Sequence, residues 1–500
     1  MTLSNQQKTA FAITILLIVL FTKFAVWDNN SNRWLIQDLT SKPSLDYKAT
    51  VASPISLIEK SAWINDASKL KSVLSSDFVK VQSKKDILDS VQKAKAEKKK
   101  ISISGARHSM DGQNLGEQIH LDMNNYDKVI DFAVDNSVTV ESGITWKQLQ
   151  TFLITKNRSV RVMQDSNIFT IGGSMVSNVH GKDVRYGSLI ESINWFKIVN
   201  SEGQEILVDR SNKELFQSVI GGFGLFGIIT EVNLKTEPNT NYKYTITHQP
   251  AEQLVAKFDE YQKLGAEQVE GHFSVSSDSL LSDLQIYYFE PTTEVSKDDV
   301  SGENSIWLRK LVYRLSRDSN LGKQFRWFMQ TKVSPIVDPS YTTRNGSQAA
   351  PFRVLELDDT NSTDVLQEYF VPSSKISEFM PKYRELLRKH NMNLINCGVR
   401  KVLKDTEALV SYATEEMYGF VCYYNVNRDN TKNDVFRTFT GEMLDYMNTI
   451  GAKYYLAYDT MDYNDKILQM YPEIKQLLEN KKMYDPNNIF WNKWAEKFVR

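Results

Sequence analysis

Between residues 78 and 109 the chain reads FVKVQ, then a serine-started helical repeat, then ISIS, and runs straight on into SGARHS. FVKVQ alternates with the two-residue period of a strand. Ser83 precedes Asp86 by three positions, as in a capping box, and Ile87, Leu88, Val91 and Ala94 recur on one helical face. KAKAEKKK forms the solvated end of that helix, where lysines suit the negative end of the dipole. ISIS, at 101–104, reads as a buried strand. A strand–helix–strand unit that ends in Ser, Gly and Ala commits the chain to a mixed α and β fold. It also leaves main-chain amides exposed at the end of the strand, and consecutive amides in such a loop cradle phosphate oxygens.

The alternation of elements continues downstream. Strands are predicted at 128–134, 137–143 and 159–163, and a helix at 145–156, where Trp146, Leu149 and Leu153 share a face. EILVD, KELFQSVI and IITEVNLKT add a strand, a helix and a strand, closing a first α+β domain near Pro238. Residues 239–450 form a second α+β region with strands YKYTIT and LQIYYFEP and a helix over 251–264. Two domains suit a chain of 500 residues, which is too long for one core.

Ahead of these domains lies TAFAITILLIVLFTKFAVW, residues 9–27, apolar apart from Lys23 and a few threonines. A helix of about 20 such residues spans a bilayer core. FAVWDNN offers no convincing cleavage site, so the segment reads as a retained single-pass anchor and not as a removed leader. Lys8 on one side and Lys23 and Arg33 on the other leave the orientation open. Residues 28–63 follow as a polar tether.

The charge balance, 60 Lys+Arg against 61 Asp+Glu, gives no global basic field for a nucleic-acid partner. Cys397 and Cys422 form neither a disulfide scaffold nor a CxxC metal spacing, and no metal site is expected.

Two further stretches of small residues stand out. TIGGSMVSNVHG (170–181) holds Gly172, Gly173 and Ser174, and GGFGLFG (221–227) contains G-x-G-x-x-G through Gly222, Gly224 and Gly227. The dinucleotide fingerprint needs a strand before those glycines and a helix after them. Here the helix comes first and the strand second, so the glycines serve a tight turn. Three loops in which backbone meets ligand are what a long diphosphate-bearing cofactor requires. From the residues alone, His108 remains open between acid–base group, ligand contact, covalent tether and ordinary loop histidine.

INDASKL (64–70), SGARHSMDGQ, TIGGSMVSNVHG and GGFGLFGIITEV, in this order and spacing, resemble the vanillyl-alcohol oxidase/p-cresol methylhydroxylase flavoproteins. Within that family the chain is most similar to aldonolactone and sugar-alcohol oxidases and to the decaprenylphosphoryl-ribose oxidase group, which NVHGKDVRYGS and GAKYYLAYDT resemble. LQEYFVP (366–372) and DPNNIFWN (485–492) also look like family features. The resemblance implies a two-subdomain FAD-binding domain over 64–238, a cap domain over 239–450 that covers the substrate, and a segment, 451–500, that returns to the FAD domain.

It further implies that Ser104, Gly105, Ala106, Arg107, His108 and Ser109 wrap the pyrophosphate of FAD, with Gln113 close by. His108 takes the place of a histidine that often joins the flavin covalently, and Arg107 stands where the family carries glycine. Ser166 replaces the cysteine of doubly tethered members. Gly172, Gly173 and Ser174 would line the cofactor, Asn178 and His180 would approach its ring, and Ile228 or Ile229 would pair its backbone with the adenine or serve as a simple core strand.

The implied reaction oxidises a hydroxyl of a sugar, aldonolactone or polyol, and removing the hydroxyl proton requires a base. Tyr458 occupies a place where the decaprenylphosphoryl-ribose group has lysine. Asp165 matches the catalytic aspartate of cytokinin dehydrogenases, and Arg400 and Lys401 in NCGVRKVLKD are candidates for binding a polar small-molecule substrate. A lipid- or carrier-linked sugar is the alternative substrate, and a non-catalytic flavin-binding membrane protein the alternative class.

Residues 305–332 carry Trp307, Leu308, Leu311, Val312 and Leu315 on one helical face. Arg309, Lys310, Arg314, Arg317, Lys323 and Arg326 occupy the remainder, a composition that suits either an anionic membrane surface or a cap helix packed on its own sheet with a solvated basic side.

Overall fold

The computed structural model describes residues 56–58, 61–298, 300, 306–337, 340–350, 361–429 and 433–498. The apolar segment 9–27 lies outside them, and among the described residues no helix is long and apolar enough to cross a membrane.

Asp77–Lys80 and Ile101–Ser104 both run parallel to Ile119–Asp122, which lies between them. A parallel pair needs a crossover, and the helix Lys84–Glu97 supplies it. Asp86 accepts a hydrogen bond from the Ser83 amide at 2.9 Å, and Ile87, Val91 and Ala94 turn into a core shared with Ile101, Ile119 and Leu121. A hairpin, Ser61–Asn65 with Ser72–Ser75, precedes this sheet, joined on its outer edge by Ser56–Ile58. The polar tether expected over 28–63 therefore gives way to strand as early as Ser56.

A second subdomain is built on a five-stranded antiparallel sheet. Its order is Glu205–Asp209, Ile193–Val199, Ile228–Leu234, Val138–Glu141 and Val129–Phe132. The helices Trp146–Ile154 and Lys213–Val219 contribute Trp146, Leu149, Leu153, Leu215 and Phe216 to its core. TIGGSMV is not an open loop: Ile171–Val176 is a short helix that Thr170 caps through the Gly173 amide.

The cap is an eight-stranded antiparallel sheet. Its order is Tyr341–Thr343, Asn241–Pro250, Asp283–Pro291, Gln268–Phe273, Leu394–Val402, Met417–Asn427, Ser362–Pro372 and Lys453–Tyr454. Cys397 and Cys422 sit opposite one another on neighbouring strands as free thiols, Sγ to Sγ 3.3 Å. Leu254–Lys263, Ile376–Lys389 and Asp434–Ile450 add buried apolar side chains such as Phe258, Phe379 and Met443. Because successive side chains of a strand point to opposite faces, the other side of this sheet is left for function.

The chain then returns to its beginning. The Ile101 amide donates to Ile489 O at 2.6 Å and the Trp491 amide to Ile101 O at 2.8 Å. The parallel sheet thus acquires an additional pairing from the far end of the sequence.

The segment 305–332 is two helices, Ile306–Asp318 and Asn320–Phe328, and several of its cations turn inward. Arg317 pairs with Asp364 at 2.8 Å, Lys323 donates to Asn393 Oδ1 at 2.9 Å, and Arg326 donates to Ile395 O at 2.7 Å. The exposed positions include Leu321 and Phe328 beside Arg309 and Lys332. Extended arginines satisfy carbonyls and carboxylates at the end of the cap sheet, which a helical-wheel reading cannot foresee.

Candidate active site

One cavity of about 330 Å³ runs from the small-residue loops of the first domain to the free face of the cap sheet. Its two walls are made differently.

The loop wall is main chain and small side chains. A Cβ added at Gly105 would lie 1.9 Å from Thr170 Oγ1, so only glycine lets these two segments meet. Ser104, Gly105, Ala106, Arg107, His108, Ser109, Gln113, Gly172, Gly173 and Ser174 all line the cavity. Gln113 Nε2 donates to Leu456 O at 2.7 Å, tying the loop to the returning chain. Asn124 Nδ2 holds Gly105 O at 2.9 Å, and Trp146 Nε1 holds Ser174 Oγ at 2.9 Å. Gly224, at φ +76°, borders open cavity space on the turn between Lys213–Val219 and Ile228–Leu234. Of the two isoleucines, Ile229 faces the cavity, whereas Ile228 points into the core with Val91 and Ile119. Asn178 lies behind the wall and braces it, donating to Asp405 Oδ2 at 3.0 Å and accepting from the Ile190 amide at 3.0 Å.

His108 stands edge-on to Phe169, with ring centroids 4.8 Å apart. Burial, reinforced by the Arg107 charge, lowers its pKa to about 4, so at neutral pH the imidazole is uncharged.

The opposite wall is a row of side chains set by strand register. His272 pairs with Gly398, Gly398 with Val421, and Val421 with Glu368, so these four lie side by side across the sheet and all line the cavity. Gly398 leaves a gap in that row, and Arg400 and Tyr423 flank it. His180 comes from the first domain to meet Glu368, Nε2 to Oε1 2.6 Å, while its Nδ1 lies 3.3 Å from Gly181 O. Both ring nitrogens thus face oxygen atoms, which fixes the ring between the two domains.

Arg400 is held from the first domain: Asp165 Oδ2 lies 3.1 Å from its Nη2. The same carboxylate is 3.2 Å from Lys182 Nζ, which pairs with Glu270 at 2.8 Å. Burial alone would raise Asp165, but Lys182 and Arg400 outweigh it and hold the carboxyl at about 2. A carboxylate so stabilised is a poor proton acceptor and a good fixed counter-charge. Tyr455 donates its hydroxyl to Ser177 O at 2.8 Å, and Tyr458 turns edge-on to Tyr455. Burial and the Glu368 charge push the Tyr458 phenol well above its ordinary pKa, so it stays neutral.

Lys401 is displaced from the role expected of it. It lies on the other side of the strand, paired with Asp259 at 2.9 Å and Glu416 at 3.0 Å, because neighbours on a strand alternate faces. In its stead the cavity gains Glu368, His272, Asn396 and Tyr423, none of which the sequence singled out. A signal was present for Glu368 alone: a carboxylate inside LQEYFVP, an otherwise largely apolar strand.

The wall fits an adenine dinucleotide of flavin. A seam too tight for any Cβ, an open glycine turn and the buried, unpartnered Nε and Nη1 of Arg107 are features that an extended anion satisfies. Comparison with known families agrees. The profile of the FAD binding domain matches residues 76–209, and that of D-arabinono-1,4-lactone oxidase matches residues 232–498. A putative D-arabinono-1,4-lactone oxidase of Neurospora crassa is 27% identical over 165 residues, 32% of this chain and 29% of that protein. The D-arabinono-1,4-lactone oxidase of Candida glabrata is 24% identical over 180 residues, 35% of this chain and 34% of that protein. Cytokinin dehydrogenase 5 of Arabidopsis thaliana is 24% identical over 307 residues, 56% of each chain. The chain thus spans about a third of the length of these two lactone oxidases.

Proposed function

This chain belongs to the D-arabinono-1,4-lactone oxidase family, and from that premise we propose that it is an FAD-dependent oxidoreductase that oxidises a hydroxyl group of an aldonolactone or a related sugar or polyol. The observation that carries the proposal is the continuity of one cavity from the Gly105–Thr170 seam to Arg400 and the His180–Glu368 pair.

Bound FAD supplies the two-electron acceptor for the oxidation. The protein residues do the rest. Arg400, fixed by Asp165, donates hydrogen bonds to a substrate oxygen and fixes the orientation of the sugar. Glu368, with His180 behind it, lines the cavity beside Arg400 and takes the hydroxyl proton. Tyr458, a neutral phenol, donates to a second substrate oxygen. Asp165 serves as a positioning residue for Arg400 and Lys182. His108, uncharged and buried in the loop wall, is the residue for a covalent flavin link.

The test is anaerobic addition of a panel of aldonolactones, aldoses and polyols, D-arabinono-1,4-lactone included, to the yellow protein. Bleaching by a member of the panel, with recovery in air, is the expected result. Flavin that stays oxidised throughout would turn the reading to a non-catalytic flavoprotein. The tether is checked by acid precipitation: colour stays with the polypeptide in the wild type and leaves it in His108→Ala.

We also propose that residues 9–27 anchor the enzyme in a membrane, on the strength of their length and hydropathy. Alkaline extraction should leave the full chain in the membrane fraction; release into the supernatant would refute this.

A further inference from the structure

We propose that Arg107 is a ligand of the FAD diphosphate: a side-chain clamp set into a wall otherwise made of backbone. The inference rests on the FAD reading above and extends it to one residue of this chain.

Three observations lead to it. Arg107 holds φ at +56°, a conformation at ease for glycine and strained for any residue with a Cβ. The chain nonetheless places its longest cation there, and strain kept at a cavity wall points to use. The residue is only 4% exposed, and its Nε and Nη1 are buried without a hydrogen-bond partner. A guanidinium does not shed its proton in a protein, so these donors call for an acceptor.

The neighbourhood does not supply one in full. Asp122 is the opposing charge, yet its Oδ1 already accepts from the Asn124 amide at 3.1 Å and from Asn124 Nδ2 at 2.6 Å. His108 and His120, the two imidazoles on which the Arg107 charge acts, are both held in the uncharged form, chiefly by burial. His120 is occupied on each side, by Ser102 Oγ at 2.9 Å and Ser104 Oγ at 2.8 Å. The Arg107 donors Nε and Nη1 are therefore left without an acceptor from these neighbours, and the residue borders the cavity between Gly105 and His108.

The substrate end offers a contrast. There, Arg400 and Lys182 are already matched by Asp165 and Glu270. The unmet donors are on the loop wall, and the chemistry that answers a planar fork of donors is a phosphate with its paired oxygens.

The experiment uses the full chain carrying His108→Ala, which keeps the flavin exchangeable. The apoprotein is titrated with FAD and, separately, with riboflavin, which has no phosphate. Arg107→Gly relieves the backbone and deletes the clamp; Arg107→Gln keeps the backbone strain and deletes only the charge. Both are expected to weaken FAD roughly 10- to 100-fold, to leave riboflavin within about 2-fold, and to flatten the salt dependence of FAD binding.

FAD affinity within about 3-fold of the parent in both variants would overturn the proposal. So would equal losses for FAD and riboflavin, which would make Arg107 a shaper of the loop. Unfolding of both apo variants, read by circular dichroism, would assign it a structural duty and overturn the proposal as well. A parent that binds neither flavin would bring down the FAD reading itself, a result distinguishable from all of these.

Discussion

The wall formed by 104–109 and 170–174 meets its ligand mostly with main chain, and apart from Arg107 and His108 its lining side chains are small because they must stay out of the way. The face formed by Gln268–Phe273, Ser362–Pro372, Leu394–Val402 and Met417–Asn427 meets its ligand with charges, and each charge is kept in place by another. The first arrangement tolerates no added atoms at Gly105 and admits one charged side chain, Arg107. The second has room, at Gly398 for example, but fails when a partner is lost. A dinucleotide with an invariant skeleton suits the first kind of wall, and a variable sugar suits the second.

If that division holds, damage to the cap face should reduce turnover and spare the flavin. Glu368→Gln should lower kcat by on the order of 10²- to 10⁴-fold with flavin content unchanged; a parallel loss of flavin would erase the distinction. Gly105→Ala is the reciprocal case. Its methyl meets Thr170 Oγ1 at 1.9 Å, and such overpacking costs about 1–3 kcal/mol. The variant should melt lower and retain less flavin.

Arg400→Lys keeps the charge but loses the fork. A drop in kcat/KM of roughly 10-fold is expected, carried mostly by KM.

The charge lattice also has a pH signature. The folded-state pKa of Asp165 is depressed to about 2. Its contribution to stability is therefore complete above the ordinary carboxylate value and fades as pH falls through about 2. The gap in Tm between wild type and Asp165→Asn should narrow as the medium is acidified from about pH 5 towards pH 2. A constant gap would mean that the carboxylate contributes shape and not charge. Smallest of all is Lys401→Gln. One position from Arg400 but on the far face, it should leave kcat/KM within about 2-fold.

What could be read in advance follows the same division. Ser104, Gly105, Gly172 and His108 were visible because a loop that cradles an anion is local: its residues are consecutive, and their smallness is itself the signal. The order of helix and strand around GGFGLFG was likewise enough to reject the dinucleotide fingerprint. The charged face is non-local. Its row of His272, Gly398, Val421 and Glu368 comes from four strands, and only the register brings them together. Nothing in NCGVRKV says which of Arg400 and Lys401 looks inward until the strand is seated. The inward turn of Arg317 and Arg326 was hidden for a similar reason, since their acceptors, Asp364 and Ile395, lie in other elements.

The pairing of Ile101 with Ile489 and Trp491 carries an implication for how the protein comes into being. The two partners are separated by about 390 positions, so during synthesis the nucleotide-binding half must wait, with one edge bare, until residues 489–491 have left the ribosome. Late closure of this kind slows folding in proportion to the sequence distance bridged, and it makes the newborn protein a client for whatever shields exposed strands in the cell. The loop wall shares this dependence, since Gln113 and Met110 bind Leu456 O and Ala457 O of the returning segment.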